Sequence, residues 1–141
     1  MNISCSCVNN HSPDKHVCPV NGRVYASVDR RTVLHQIKTP WHRQVPEQGY
    51  YFCTDPDCEV VYFGEDDHIL SRDDLRTAVG QKSRAPDRPI CYCFDIRAND
   101  ALAENSGIAR QFVIDHTRDG SCDCAIRNPS GRCCLKDFPG Q

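Results

Sequence analysis

The chain has 141 residues, 39% hydrophobic with cysteine counted and 8% aromatic, so apolar burial alone does not hold it together. Eleven cysteines are the evident supplement, and an odd number cannot all pair internally. The net charge of −2 supplies no field for nucleic acid, and the longest apolar run, Ile90-Cys91-Tyr92-Cys93-Phe94, falls far short of the roughly 20 residues of a membrane helix.

The first stretch, Met1 to Asn10, is polar and carries Cys5 and Cys7 where a secretory leader would be apolar. The expected setting is therefore the reducing cytoplasm, where thiols serve as metal ligands more often than as disulfides. Strands are expected at Arg23–Val28 and Thr32–Ile37, both rich in β-branched residues, and then at Tyr50–Cys53 and Glu59–Phe63. Thr54-Asp55-Pro56-Asp57 reads as the turn between the last two. A brief Ile69-Leu70 strand follows, and Ser71 suits the N-cap of a helix ending near Gly80, with Asp73 and Asp74 in its first turn. Residues 81–89, polar and carrying two prolines, read as an extended linker.

Beyond it the pattern turns helical. One short helix is expected from about Arg97 to Asn105, broken at Ser106-Gly107, and another from Ile108 to about Thr117, closed by Gly120. Asn128-Pro129-Ser130-Gly131 is a strong turn signal, with a final helical turn over Cys133 to Phe138. The expected fold class is α+β: a small β-rich zinc-binding module over 1–80, the linker, and a helical-hairpin module over 90–141. A hairpin of that size needs a staple.

The cysteines supply two. Cys53-x4-Cys58 spans a Pro-Asp turn between strands, as in half of a tetrahedral zinc site, and Cys18 on the turn Cys18-Pro-Val-Asn21-Gly22 offers a third sulfur. Cys7 or Cys5 supplies the fourth; Cys7 is chosen because its shorter closure to Cys18 costs less entropy. In the second block Cys91 and Cys93 precede the helices, and Cys122, Cys124, Cys133 and Cys134 follow them. A Cys-x-Cys pair is unusual for a zinc knuckle, which favours an iron–sulfur cluster.

Cys91-x-Cys93, the hairpin and the late cysteines resemble the bacterioferritin-associated-ferredoxin type of 2Fe–2S domain. The segment Cys124-Ala-Ile-Arg-Asn128-Pro129-Ser130-Gly131-Arg132-Cys133-Cys134, with Tyr51-Phe52-Cys53 and Cys58-Glu-Val-Val-Tyr62-Phe63 upstream, is similar to the N-terminal zinc and iron–sulfur domain of CopZ-type copper chaperones. That resemblance covers about Cys18 to Cys134. It implies a 2Fe–2S cluster on Cys91, Cys93, Cys124 and Cys134, beside a Zn2+ on Cys7, Cys18, Cys53 and Cys58. It further implies electron transfer, or redox-linked handling of copper or another thiophilic metal, with a redox partner or copper-trafficking protein. The surplus thiols Cys5, Cys122 and Cys133 suit a soft ion such as Cu(I).

The histidines show no paired metal-binding spacing, although His116 lies near the second cysteine set in sequence and could tune a cluster by a hydrogen bond. No phosphate-cradling glycine loop, Gly-x-Ser-x-Gly elbow or His-Glu-x-x-His occurs, so a carrier or metal-handling role is favoured over an enzyme. The rival reading is a redox-inactive module with two zinc ions, contacting protein or nucleic acid through the basic residues Arg23, Arg30, Arg31, Lys38 and Arg43.

Overall fold

The computed structural model describes residues 13–102 and 106–138. Five antiparallel strands lie side by side in chain order: β1 (Lys15–Val17), β2 (Val24–Val28), β3 (Tyr50–Phe52), β4 (Val60–Gly64) and β5 (Ile69–Ser71). Strands β3 and β4 are buried at every residue because both sheet faces are covered. Tyr50, Phe52 and Tyr62 join one core with Val33, Ile37 and Leu75. Tyr51 and Phe63, paired across β3 and β4, join Cys18, Cys53 and Cys58 in another. A register shift between Val60 and Tyr62 breaks strict alternation, so Val61 and Tyr62 serve the same core.

Thr32–Ile37 is not a strand. It belongs mostly to helix α1 (Arg30–Gln36), whose N-cap Asp29 accepts from the Arg31 N–H at 3.1 Å. The helical period separates two pairs: Val33 and Ile37, fully buried in the first core, and Thr32 and Gln36, which reach a later segment. Packing on both sides outweighs the strand preference of branched residues. The helix expected after Ser71 is also absent. Ser71 and Asp74 form a capping box around a single 3-10 turn, Arg72–Asp74, after which the chain pairs with the end of α1. Asp74 O accepts from Lys38 N at 2.8 Å and Gln36 O from Arg76 N at 2.9 Å, flanking an Ile37–Leu75 bridge.

The later part opens with an unexpected hairpin, β6 (Pro89–Cys91) and β7 (Ile96–Arg97). The expected helical pair follows as α2 (Ala98–Leu102) and α3 (Ser106–Arg118), which pack together. Gly120, at φ +79°, ends α3 in the left-handed conformation. A four-residue helix α4 (Cys124–Arg127) and a 3-10 turn over Cys134–Asp137 complete the described chain. This region has its own small core of Ile90, Ala98, Ala101, Val113 and Phe138 with Cys91, Cys124 and Cys134. Mixed α and β structure around an antiparallel sheet agrees with the α+β expectation.

The two regions are joined by more than the chain. The last carbonyls of α4 have no helical donors of their own. Thr32 Oγ1 donates to Ala125 O, and Gln36 Nε2 donates to Ile126 O at 2.7 Å and to Arg127 O at 3.0 Å. Tyr62 Oη donates to Pro129 O. The connector departs from the extended reading: it begins in a 3-10 turn, Gly80–Lys82, and Lys82 is only 2% exposed. Among the described residues no helix is long and apolar enough to cross a membrane.

Candidate metal centres

Cys18 follows β1 on the β1–β2 turn, where Gly22 takes φ +76° and its N–H donates to Cys18 O. Cys53 leaves β3, and Cys58 closes the next turn, with its N–H on Asp55 O and the Asp55 carboxylate accepting from Asp57 N. Antiparallel pairing of β2 with β3 sets the two turns side by side. The sulfurs of Cys18, Cys53 and Cys58 consequently lie within 4.8 Å of one another, all buried. A tetrahedral ion with metal–sulfur bonds of about 2.3 Å needs its sulfurs about 3.8 Å apart, and this trio fits it.

The surroundings favour thiolate at Cys53. Burial alone would push the Cys53 thiol up, but the Asp55 N–H, the Lys82 charge and side-chain bonds from Tyr25 and Cys58 bring it below its ordinary value. Burial, reinforced by the neighbouring Cys53, pushes Cys58 up. Burial and a bond to Cys53 also raise Tyr25 to about 12. Asn21 turns its amide N–H towards Cys53 Sγ, at 3.4 Å, while its carbonyl accepts from Arg23 N. It donates to the sulfur and does not stand in for a ligand. Cys5 and Cys7 lie outside the described residues.

The second set is built differently. Cys91 ends β6, Cys93 lies in the turn to β7, Cys124 opens α4 and Cys134 opens the last 3-10 turn. Cys93 Sγ and Cys124 Sγ are 3.9 Å apart, and Cys134 bonds to both Cys124 and Cys91. The sulfurs thus touch in a chain, 93–124–134–91. Among the described residues no three of them meet the mutual 4.8 Å separation of the first trio. Backbone N–H groups point at them: Asp123 N to Cys93 at 3.0 Å, Phe94 and Cys93 N–H to Cys91, and Cys134 N–H to Cys124. Through the Cys134 bond first, the Cys91 thiol is lowered to about 7 and the Cys124 thiol to about 6. Burial pushes Cys93 up to about 12, and the bonds to Cys124 and Cys91 drive Cys134 far up.

Of the surplus thiols, Cys122 bonds to Cys124 at the half-buried rim, and Cys133 caps the last turn without joining the contact chain. His116 packs its ring on Phe112 at 4.2 Å and on Phe94 at 5.5 Å, and its Nδ1 lies 3.1 Å from the Asp119 carboxylate. Arg30 is bound to Val45 O and Arg43 to Asp74, which spends two of the basic residues internally. Sequence reasoning missed Lys82, whose Nζ reaches Cys53; a lysine in a polar, proline-bearing string carries no signal of burial.

Two groups of converging sulfurs on one small α+β frame define a thiolate-rich metal-binding protein. Residues 15–76 match the CopZ-type family described as a zinc binding domain. The copper chaperone CopZ of Archaeoglobus fulgidus is 36% identical over 86 residues, 60% of this chain and 42% of that protein. The chain therefore spans about two fifths of the length of the curated relative it matches. The X-ray structure of the Archaeoglobus fulgidus CopZ N-terminal domain aligns with a TM-score of 0.67 at 31% identity, covering 84% of this chain and 92% of that one. The chain belongs to the family of CopZ N-terminal domains. Residues 15–76 contain the first sulfur trio and α1; the structural likeness covers more of the chain than that block and so extends beyond it.

Proposed function

We propose that the chain is a two-centre metalloprotein of the reducing cytoplasm, working in copper handling. Cys18, Cys53 and Cys58, with Cys7, hold a structural Zn2+; Cys91, Cys93, Cys124 and Cys134 hold a 2Fe–2S cluster. The observation that carries the second assignment is the chain of sulfur contacts lacking a compact trio. One tetrahedral ion draws all its ligands mutually close, whereas a two-iron centre would spread four sulfurs over a wider span, which an open chain of contacts matches better. The N–H groups aimed at Cys91, Cys93 and Cys124 favour an anionic centre of this kind.

The chain's own part is to bind, neutralise and shield. When bound, the cluster supplies one-electron chemistry. Half-buried Cys93 and Cys122 form the rim nearest solvent, where a redox or copper-trafficking partner would approach, and buried Cys91 and Cys134 anchor the inner side. Zinc, closed-shell and redox-inert, would fix the two turns of the sheet. The relative's name supports copper as the cargo, and the surplus thiols suit Cu(I).

Anaerobic purification followed by metal and sulfide analysis tests this. The expected preparation is reddish-brown with about two irons and about one zinc per chain. A colourless protein with about two zinc ions overturns the cluster and favours the redox-inactive module contacting protein or nucleic acid. The internal engagement of Arg30 and Arg43 weakens that alternative's basic surface.

A further inference from the structure

Lys82 is 2% exposed, and its Nζ has three acceptors for its three protons: Asp55 O at 2.6 Å, Cys53 O at 3.2 Å and Cys53 Sγ at 3.6 Å. A buried ammonium group requires an anion, since stripping it of water unpaired costs several kcal/mol. Among the described residues no carboxylate lies within ion-pair distance of Lys82. The ionisable group it touches is the Cys53 sulfur. On the zinc reading, on which this inference rests, a divalent ion with three thiolates carries one negative charge, and with Cys7 two. Either way Lys82 is the countercharge inside the protein.

The structure assigns Lys82 to the first metal centre as its positioning countercharge, so that metal bound there seats the Gly80–Lys82 turn as a strap between the two sulfur sets. The same turn reaches the second set. Gly80 N donates to Tyr92 Oη at 2.7 Å, and Tyr92 Oη donates to Gln81 Oε1 at 3.1 Å. Tyr92 is the residue between Cys91 and Cys93. Gln81 Nε2 donates to Asn128 Oδ1 at 2.9 Å and to Asp137 Oδ2 at 3.3 Å, beside the segments that carry Cys124 and Cys134. The turn passes so close to β6 that a Cβ on Gly80 would run into Pro89 O, which makes glycine obligatory there. The turn thus contacts the first centre through Lys82 and the segments around the second through Gly80 and Gln81.

The test uses the full chain and zinc itself. Lys82→Met keeps the length of the side chain and removes the charge. Chelator competition is expected to show zinc bound tenfold to a hundredfold more weakly, the range for loss of a group supporting a metal ligand. Zinc should also be lost at a higher pH, because Cys53 then holds its proton more tightly; Lys82→Arg, which retains the charge, should recover part of both effects. In the wild-type protein, chelating zinc should speed hydrogen exchange at the Gly80, Lys82 and Ser83 amides. Unchanged zinc affinity and pH profile in Lys82→Met, or amides indifferent to chelation, overturns the inference while leaving the zinc site standing. Should Lys82→Met fail to fold, the wild-type chelation experiment decides alone. If wild-type and Cys53→Ser proteins hold equal zinc, the zinc reading itself falls and the strap with it.

Discussion

The two sulfur sets sit in regions built on opposite plans. Cys18, Cys53 and Cys58 hang from turns of a sheet already filled by Tyr50, Tyr51, Phe52, Tyr62 and Phe63. Cys91, Cys124 and Cys134 are themselves three members of the small core they share with Ile90, Ala98, Ala101, Val113 and Phe138. Their supports, a three-residue strand, a four-residue helix and a 3-10 turn, are too short to persist alone. Both regions bury three cysteines in a core, but the sheet has in addition a core without sulfur, of Val33, Ile37, Tyr50, Phe52, Tyr62 and Leu75, and among the described residues the second region has no such reserve. Metal removal should therefore loosen the second region and leave the sheet largely intact, as hydrogen exchange along β3–β4 and α3 would show.

The largest effect is expected at Cys134, fully buried and bonded to both Cys91 and Cys124. Cys134→Ser should abolish iron and labile sulfide binding and expose α3 to exchange, whereas Cys133→Ser, altering a half-exposed thiol outside the contact chain, should leave both near wild type. The reverse result would mean that the late sulfurs are paired otherwise. On the other side of the comparison, Phe63 stacks on Tyr51 at 5.5 Å within the sheet's sulfur-bearing core. Phe63→Ala should cost about 3–5 kcal/mol in denaturant unfolding, whether or not iron is present. A smaller loss in the iron-free protein alone would show that the sheet, too, depends on the second centre.

Gln36→Leu attacks the joint between the regions. It strips Ile126 O and Arg127 O of their donor at the end of the helix that begins with Cys124. About 1–3 kcal/mol of stability should go, with faster iron release to a chelator and little change at zinc. Equal loosening of both metals would indicate that the regions fold as one unit.

How far the sequence discloses this architecture depends on whether a residue's role is local. Cys53-x4-Cys58 around a Pro-Asp turn, the strands at Tyr50 and Val60, and the Asn128–Gly131 turn all follow from neighbours in the chain, and all are found. The helix at Arg30 is not legible, because Val33 and Ile37 are buried by strands while Thr32 and Gln36 are satisfied by carbonyls some ninety residues away. Lys82 and Gln81 hide for the same reason: composition marks them as solvent-facing, and their partners Cys53, Asn128 and Asp137 come from distant turns. Convergence of the second sulfur set depends on β6, α4 and the last turn meeting in space, which cysteine spacing alone leaves open between Cys133 and Cys134.

Acid separates the regions more gently. In the reduced, metal-free protein the thiols of Cys91 and Cys124, at about 7 and about 6, lie below the ordinary thiol value of 9.0. Groups depressed on folding stabilise fully above their unfolded value, and that stability is lost as pH falls through the folded values. The second region should weaken progressively as pH falls from about 9 to about 6, while its ultraviolet thiolate absorbance steps down near 7 and 6, and Cys134→Ser should remove both effects. The sheet has a different acid limb. Burial works against the Asp74 carboxylate, but the Ser71 N–H and Arg43, whose Nη2 lies 2.9 Å from it, hold it below its ordinary 3.8. Its contribution is complete above about pH 4 and fades only below 3.8. Asp74→Asn should therefore cost about 1 kcal/mol at neutral pH, the scale of a lost helix cap, and the gap between variant and wild type should close as the solution is acidified past that point. A gap that instead closes near pH 6 would mean that the capping box draws its strength from the sulfur centres and that the two regions titrate together.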